Sequence, residues 1–298
     1  MKAFFKICLL FPLFFLSCKD NKQGSDGKIT FTDDMGYKLT LETKPKRIVS
    51  LAPSITETIY YLKLDSMLEG VTDYCNYPPD AKNKKSVGNI LSPNLEVISQ
   101  IKPDLVFMTI EGNTKNTYQA VKNLGLNIYV AAPRNIAGII RMMSDIQMIC
   151  GSETSGEGAS EKIKDNFISS MNGVRVTHDP VNRKALILVS VKPPVTFNKN
   201  TFLNDVFLAG GFGNLYDNEP ADYPVLSYED IIMKNPEYIF VISDTSESSK
   251  QNIFGEILKS MKYCEAVKTG RIFILDEDIF SRPGPRIYDA VKMLKTIN

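Results

Sequence analysis

Glu96 and Glu229 occupy matching places in two copies of one pattern, NLEVISQIKPDLVF at 94–107 and SYEDIIMKNPEYIF at 227–240. Ile98 and Ile231, Pro103 and Pro236, and Phe107 and Phe240 repeat at the same interval. A carboxylate so placed has two uses. It complements the positive end of a helix, worth about 0.3–1 kcal/mol when exposed, or it receives a guanidinium through paired charge-assisted hydrogen bonds. The spacing alone does not choose between them. Catalytic chemistry is scarce: the single histidine, His178, sits in a polar stretch, and no GxSxG, HExxH or Ser/His/Asp set is present. An enzyme is therefore not expected. Cys75, Cys150 and Cys264 share no CxxC spacing, so no His/Cys metal cage is expected. They read as small buried hydrophobes, and their pairing is left open.

The elements that position the two glutamates can be read from the same copies. Asn94 and Ser227 carry side-chain oxygens suited to an N-cap, the carboxylate then falls in the first turn, and Pro103 or Pro236 stops the helix. DLVFM and EYIFVI follow as β-branched and aromatic runs, which are buried strands. Each copy is thus helix, tight turn and strand, the repeating half of a parallel α/β sheet. Two such units far apart in one chain predict two lobes with a cleft between them.

The rest of the body alternates in the same way. KITFTDDMGYKLTLE predicts a hairpin turning at Met35-Gly36, RIVSLAPS a strand running into a loop, and 55–64 a helix. LEGVTDY, 104–109 and 126–132 are expected strands, with a helix at 115–124 before the last. Amphipathic stretches at 135–150 and 157–173 read as linking helices. The second half restarts with a strand at 184–191, the loop KPPVTFNKN and a helix from Thr201 to Ala209. It closes with a strand at 271–275, the loop DEDIFSRPGPR and a final helix. GGFGN follows a helix instead of a strand and lacks a lysine-hydroxyl pair, so it reads as a C-cap and turn, not a phosphate loop.

Lys2 and Lys6 precede an apolar run from Ile7 to Leu16, too short for a bilayer and suited to a signal-peptide core. FLSC at 15–18 resembles a lipobox, which implies cleavage before Cys18 and a lipid on that cysteine. The expected division is a signal peptide at 1–17, a polar tether at 18–27, an N-terminal lobe at 28–134, a linking segment at 135–182 and a C-terminal lobe at 183–298. Thirty-five basic against 34 acidic residues leave a formal charge of +1, so the polybasic field that nucleic acid needs is missing.

RIVSLAPSITETIYYL, GVTDYCNYPPDAK, NLEVISQIKPDLV, VKPPVTF, AGGFGN, SYEDII and SRPGPRI resemble, in order, the segments of the periplasmic cobalamin- and iron–siderophore-binding family. The resemblance covers essentially the whole mature chain. It implies two Rossmann-like α/β lobes joined by a long helix, a shallow cleft between them, little hinge motion, and delivery of a ligand to an ABC importer; the protein itself is expected to be a monomer, anchored through Cys18. On that resemblance, Glu96 and Glu229 dock onto arginine pockets of the two permease subunits. Cleft loops would supply Tyr74 and Tyr223 as aromatic contacts, with Ser54, Ile90, Asn113, Phe197, Asp278 and Arg282 beside them. The chain has no tryptophan, and Ile90, Thr109, Tyr223 and Ile279 stand where the cobalamin binder carries aromatic cleft residues. No resident cofactor or metal is expected. The ligand is expected to be cobalamin first, then a ferric siderophore, for which only Arg282 is an evident cation, then haem, for which Tyr74 or Tyr223 would have to serve.

Overall fold

The computed structural model of the protein describes residues 28–151, 165 and 183–297. The signal segment, Cys18, His178 and all of the expected helix at 157–173 except residue 165 lie outside them. In the first lobe a hairpin of β1 (Ile29–Thr32) and β2 (Lys38–Leu41) precedes β3 (Ile48–Ser50), α1 (Pro53–Tyr61), β4 (Leu68–Val71), β5 (Lys85–Ser86), α2 (Leu95–Ile101), β6 (Leu105–Thr109), α3 (Lys115–Asn123) and β7 (Ile128–Ala131). The sheet runs β5-β4-β3-β6-β7 and every pair is parallel. α4 (Ile136–Cys150) leads out of the lobe.

The second lobe begins with β8 (Lys184–Leu188), then a small hairpin of β9 (Ser190–Val191) and β10 (Pro194–Val195). Next come α5 (Phe202–Gly210), β11 (Gly213–Asn214), α6 (Tyr228–Lys234), β12 (Tyr238–Ser243), α7 (Glu247–Ser260), α8 (Glu265–Lys268), β13 (Ile272–Asp276), α9 (Glu277–Phe280) and α10 (Ile287–Lys295). Its sheet, β11-β8-β12-β13, is also parallel throughout. The mixed α/β class, the two lobes and the parallel sheets are as expected.

Alternation along the central strands divides the core. Leu105 and Phe107 of β6, like Tyr238, Phe240 and Ile242 of β12, belong to one large cluster with α1, α4, α5 and α10. Val106 and Met108 face the α2 and α3 side, and Ile239 and Val241 face the α7 side. The two sheets therefore share one apolar mass through α1, α4 and α5, which fits relative rigidity better than a free hinge.

The repeat is as regular in space as in sequence. Asn94 Oδ1 accepts from Val97 N at 3.1 Å, and Ser227 Oγ accepts from Asp230 N at 3.1 Å. Both helices end on a left-handed residue directly before the proline, Lys102 at φ 51° and Asn235 at φ 47°.

Other elements differ from the expectation. α1 starts at Pro53, because proline already holds helical φ at the first helical position where its missing N–H costs nothing. The expected strand 184–191 breaks at Val189, whose N–H bonds to Val195 O at 2.8 Å and turns the chain into the β9–β10 hairpin. Gly211 caps α5 at φ +91°, as read, but Gly213 and Asn214 then pair with β8 as an edge strand. α7 has no counterpart among the expected elements; its residues are mostly polar and only Ile253 and Ile257 are buried.

Candidate functional site

Loops leaving the carboxyl ends of β3, β4 and β6 face the segment after β13 across the gap between the lobes. A cavity of about 230 Å³ lies there, lined by Ser54, Tyr74, Ile90, Thr109, Glu111, Gly112, Glu277, Asp278, Ser281 and Arg282, with Ala52, Pro53 and Pro283. Five of the eight expected ligand residues thus converge: Ser54, Tyr74, Ile90, Asp278 and Arg282. Tyr74 is the most open of them, half exposed, its hydroxyl accepting from Asn89 Nδ2 at 3.4 Å. Gly284 lets the second lobe come close, since a Cβ there would sit 3.1 Å from Ser54 O.

Three expected residues lie elsewhere. Phe197 is fully buried and packs on Phe207 with ring centroids 5.9 Å apart, so it belongs to the core and does not reach the cleft. Asn113 is corrected in role: it is buried, its Oδ1 accepts from Thr109 N at 2.9 Å, and its Nδ2 donates to Leu51 O at 3.1 Å and Ile90 O at 2.8 Å. Its side chain is a clamp that shapes the loops and has no free amide for a ligand. Tyr223 is exposed but stands outside the cavity, beside Asp222, which pairs with Arg134 across the lobes at 3.1 Å. Burial and the nearby Glu111 charge push the Tyr223 hydroxyl up to about 12, so it is a neutral donor.

Arg282 is a structural strut. It donates to Glu57 Oε1 at 2.9 Å and Asn76 Oδ1 at 2.7 Å and pairs with Asp278. Arg286 takes both oxygens of the same glutamate, at 2.8 and 2.6 Å, and lies 4.2 Å from the Tyr77 ring. Asn76 returns a bond to Asp278 Oδ2 at 2.7 Å. The Glu57 side chain is 2% exposed, so these contacts join α1 of one lobe to the segment between α9 and α10 of the other through a buried ionic network. Sequence reading missed Glu57, Asn76, Glu111, Glu277 and Arg286. One signal was present: Glu57 is the one charged residue of α1, among apolar, aromatic and hydroxyl side chains, and a carboxylate buried in such a helix implies a cation.

Glu111 is exposed on the cavity wall, yet the surrounding protein withdraws water and raises its carboxyl to about 7, with Arg134 pulling the other way. Glu96 and Glu229 are exposed at the first turns of α2 and α6 and make no salt bridge among the described residues. Cys75, Cys150 and Cys264 are buried free thiols. Among the described residues no group of His, Cys, Asp and Glu is arranged to hold a metal.

Two parallel α/β lobes, a shared apolar mass and a cavity built from strand-end loops define the bilobal binding proteins. The chain belongs to the periplasmic binding protein family, whose pattern matches residues 48–279. A vitamin B12-binding protein of Vibrio cholerae is 27% identical over 252 residues, covering 84% of this chain and 88% of its own. The crystal structure of the periplasmic vitamin B12 binding protein of Vibrio cholerae superposes with a TM-score of 0.72 at 27% identity, over 85% of this chain and 96% of that one. An uncharacterized ABC transporter substrate-binding lipoprotein of Bacillus subtilis is 28% identical over 279 residues, 89% of this chain and 84% of its own.

Proposed function

We propose that the protein is the substrate-binding component of an ABC importer and that its ligand is cobalamin or a closely similar corrinoid. The lipid on Cys18 holds it at the membrane surface, and Glu96 and Glu229 seat it on the permease pair. Membership of the family and likeness to the Vibrio cholerae protein support the class. The observation that carries the choice of ligand is the state of Arg282. An anionic ferric siderophore would want this guanidinium, but it is held by Glu57, Asp278 and Asn76. What stays available is Tyr74, Ile90, Pro53 and Pro283, a surface for one face of a large flat ligand with polar anchors at its edge.

Titration of the tagless mature chain decides the matter, following tyrosine fluorescence and heat with cyanocobalamin, ferric siderophores and haemin as ligands. Saturable cyanocobalamin binding at submicromolar concentration is expected, and it should weaken on Tyr74→Ala. A ferric siderophore or haemin that binds while cyanocobalamin does not would replace this reading.

A further inference from the structure

We infer that the cleft reads the rim of its ligand: Glu111 on one lip and Glu277 on the other accept hydrogen bonds from neutral amide or cationic groups at the edge of a flat chelate and reject one edged with carboxylates. This rests on the ligand class proposed above and narrows it.

Several charges around the cavity are already matched. Glu57, Asp278, Arg282 and Arg286 form two carboxylates against two guanidiniums, closed among themselves. Arg134, the cation nearest Glu111, pairs with Asp222 at 3.1 Å. Glu111 and Glu277 both line the cavity, both are exposed, and neither makes a salt bridge among the described residues. One comes from each lobe, so a ligand bridging the lobes meets both.

Local hydrogen bonds fix the backbone that carries each glutamate. Glu111 N donates to Thr109 Oγ1 at 3.0 Å, and the Asn113 clamp fixes the same turn. Glu277 begins α9, whose turn is fixed by Asp278 N donating to Asp276 Oδ1 at 2.8 Å. The charges closest to Glu277 are mostly negative. Burial first, then Asp278, Asp244 and Asp276, raise the Glu277 carboxyl above its ordinary range, against the weaker pull of Arg282. Tyr223, outside the cavity but near enough to feel the Glu111 charge, is neutral. Above the value of about 7 to which burial raises Glu111, a ligand carboxylate entering here finds like charges on both sides, whereas an amide N–H finds two acceptors.

The test compares two corrinoids with the same macrocycle and axial ligands: dicyanocobinamide, whose rim groups are amides, and dicyanocobyrinic acid, whose rim groups are carboxylates. Calorimetry at low ionic strength and about pH 8.5, where Glu111 is ionised, should give cobinamide at least about a tenfold advantage. In Glu111→Gln with Glu277→Gln the ratio should collapse toward one, mainly through tighter binding of the acid. Equal affinities in the native chain, tighter binding of the acid, or a preference that persists in the double variant would each overturn the inference while leaving the corrinoid reading standing. Failure of both corrinoids to bind would overturn both together.

Discussion

Asp145 illustrates how far one buried side chain can set the pH response of the whole chain. It lies on α4 with 6% of its surface exposed, and Tyr129 Oη donates to its Oδ2 at 2.6 Å. Arg141, on the same helix, is engaged by Asp34 instead. Burial therefore dominates, against the pull of the Tyr129 hydrogen bond and the Arg141 charge, and holds the carboxyl at about 6 instead of 3.8. Because the folded value is raised, the folded state keeps a proton between these values that the unfolded chain releases. The stability this contributes is present in full below 3.8 and lost as pH rises through about 6. Asp145→Asn keeps an acceptor for Tyr129 and removes the titration. The variant should gain up to roughly 3 kcal/mol over the native protein at about pH 7.5 and lose that advantage by about pH 4. Urea unfolding at the two pH values checks this, and a variant less stable than the native chain at the higher pH would contradict it.

Between elements, the informative contact is the one α1 makes with the segment between α9 and α10. Glu57 receives two guanidiniums from the other lobe in a site where none of the three side chains is more than 13% exposed. Removing one partner of a buried ionic set leaves charge without compensation, which typically costs about 3–5 kcal/mol. Glu57→Ala should lose that much unfolding free energy and also loosen the Tyr74 loop, since Arg282 reaches Tyr74 O and Asn76 from the same position. Hydrogen exchange of residues 72–78 should quicken in the variant. An unchanged unfolding midpoint would mean that water replaces the carboxylate and that the network does not tie the lobes.

That network also shows what the sequence could and could not reveal. The α2–β6 and α6–β12 units were legible because their determinants are local: a capping oxygen, a first-turn acid, a stopping proline and an apolar run within about fourteen residues. β9–β10 was not legible, because its turn depends on a bond from Val189 to Val195 and not on a turn dipeptide. The cavity was half legible. Its loops carry conspicuous residues such as Tyr74 and Arg282, but whether Arg282 faces a ligand or Glu57 depends on two segments 225 residues apart. Phe197 misled for a related reason, since an aromatic in a polar loop looks exposed until Phe207 is packed against it.

At the scale of the molecule the repeat acquires its meaning. Two lobes that share one core hold the first turns of α2 and α6 in a fixed relation, so their glutamates form a rigid two-point surface. A partner bearing two guanidinium pockets would then meet both without ordering either lobe, which lowers the entropy cost of docking. Each carboxylate–guanidinium contact should be worth about 1.5–3 kcal/mol, or about 10- to 100-fold in affinity. The sites lie on separate lobes and share no side-chain partner, so their effects should add. Glu96→Lys or Glu229→Lys alone should weaken binding to the reconstituted permease by at least about tenfold, and the pair by the product of the two losses. Ligand titration should be unaffected, because neither residue lines the cavity. Should the double variant hold the permease as tightly as the native chain does, the carboxylates would serve only their helix ends, and the docking surface would have to be sought on another face.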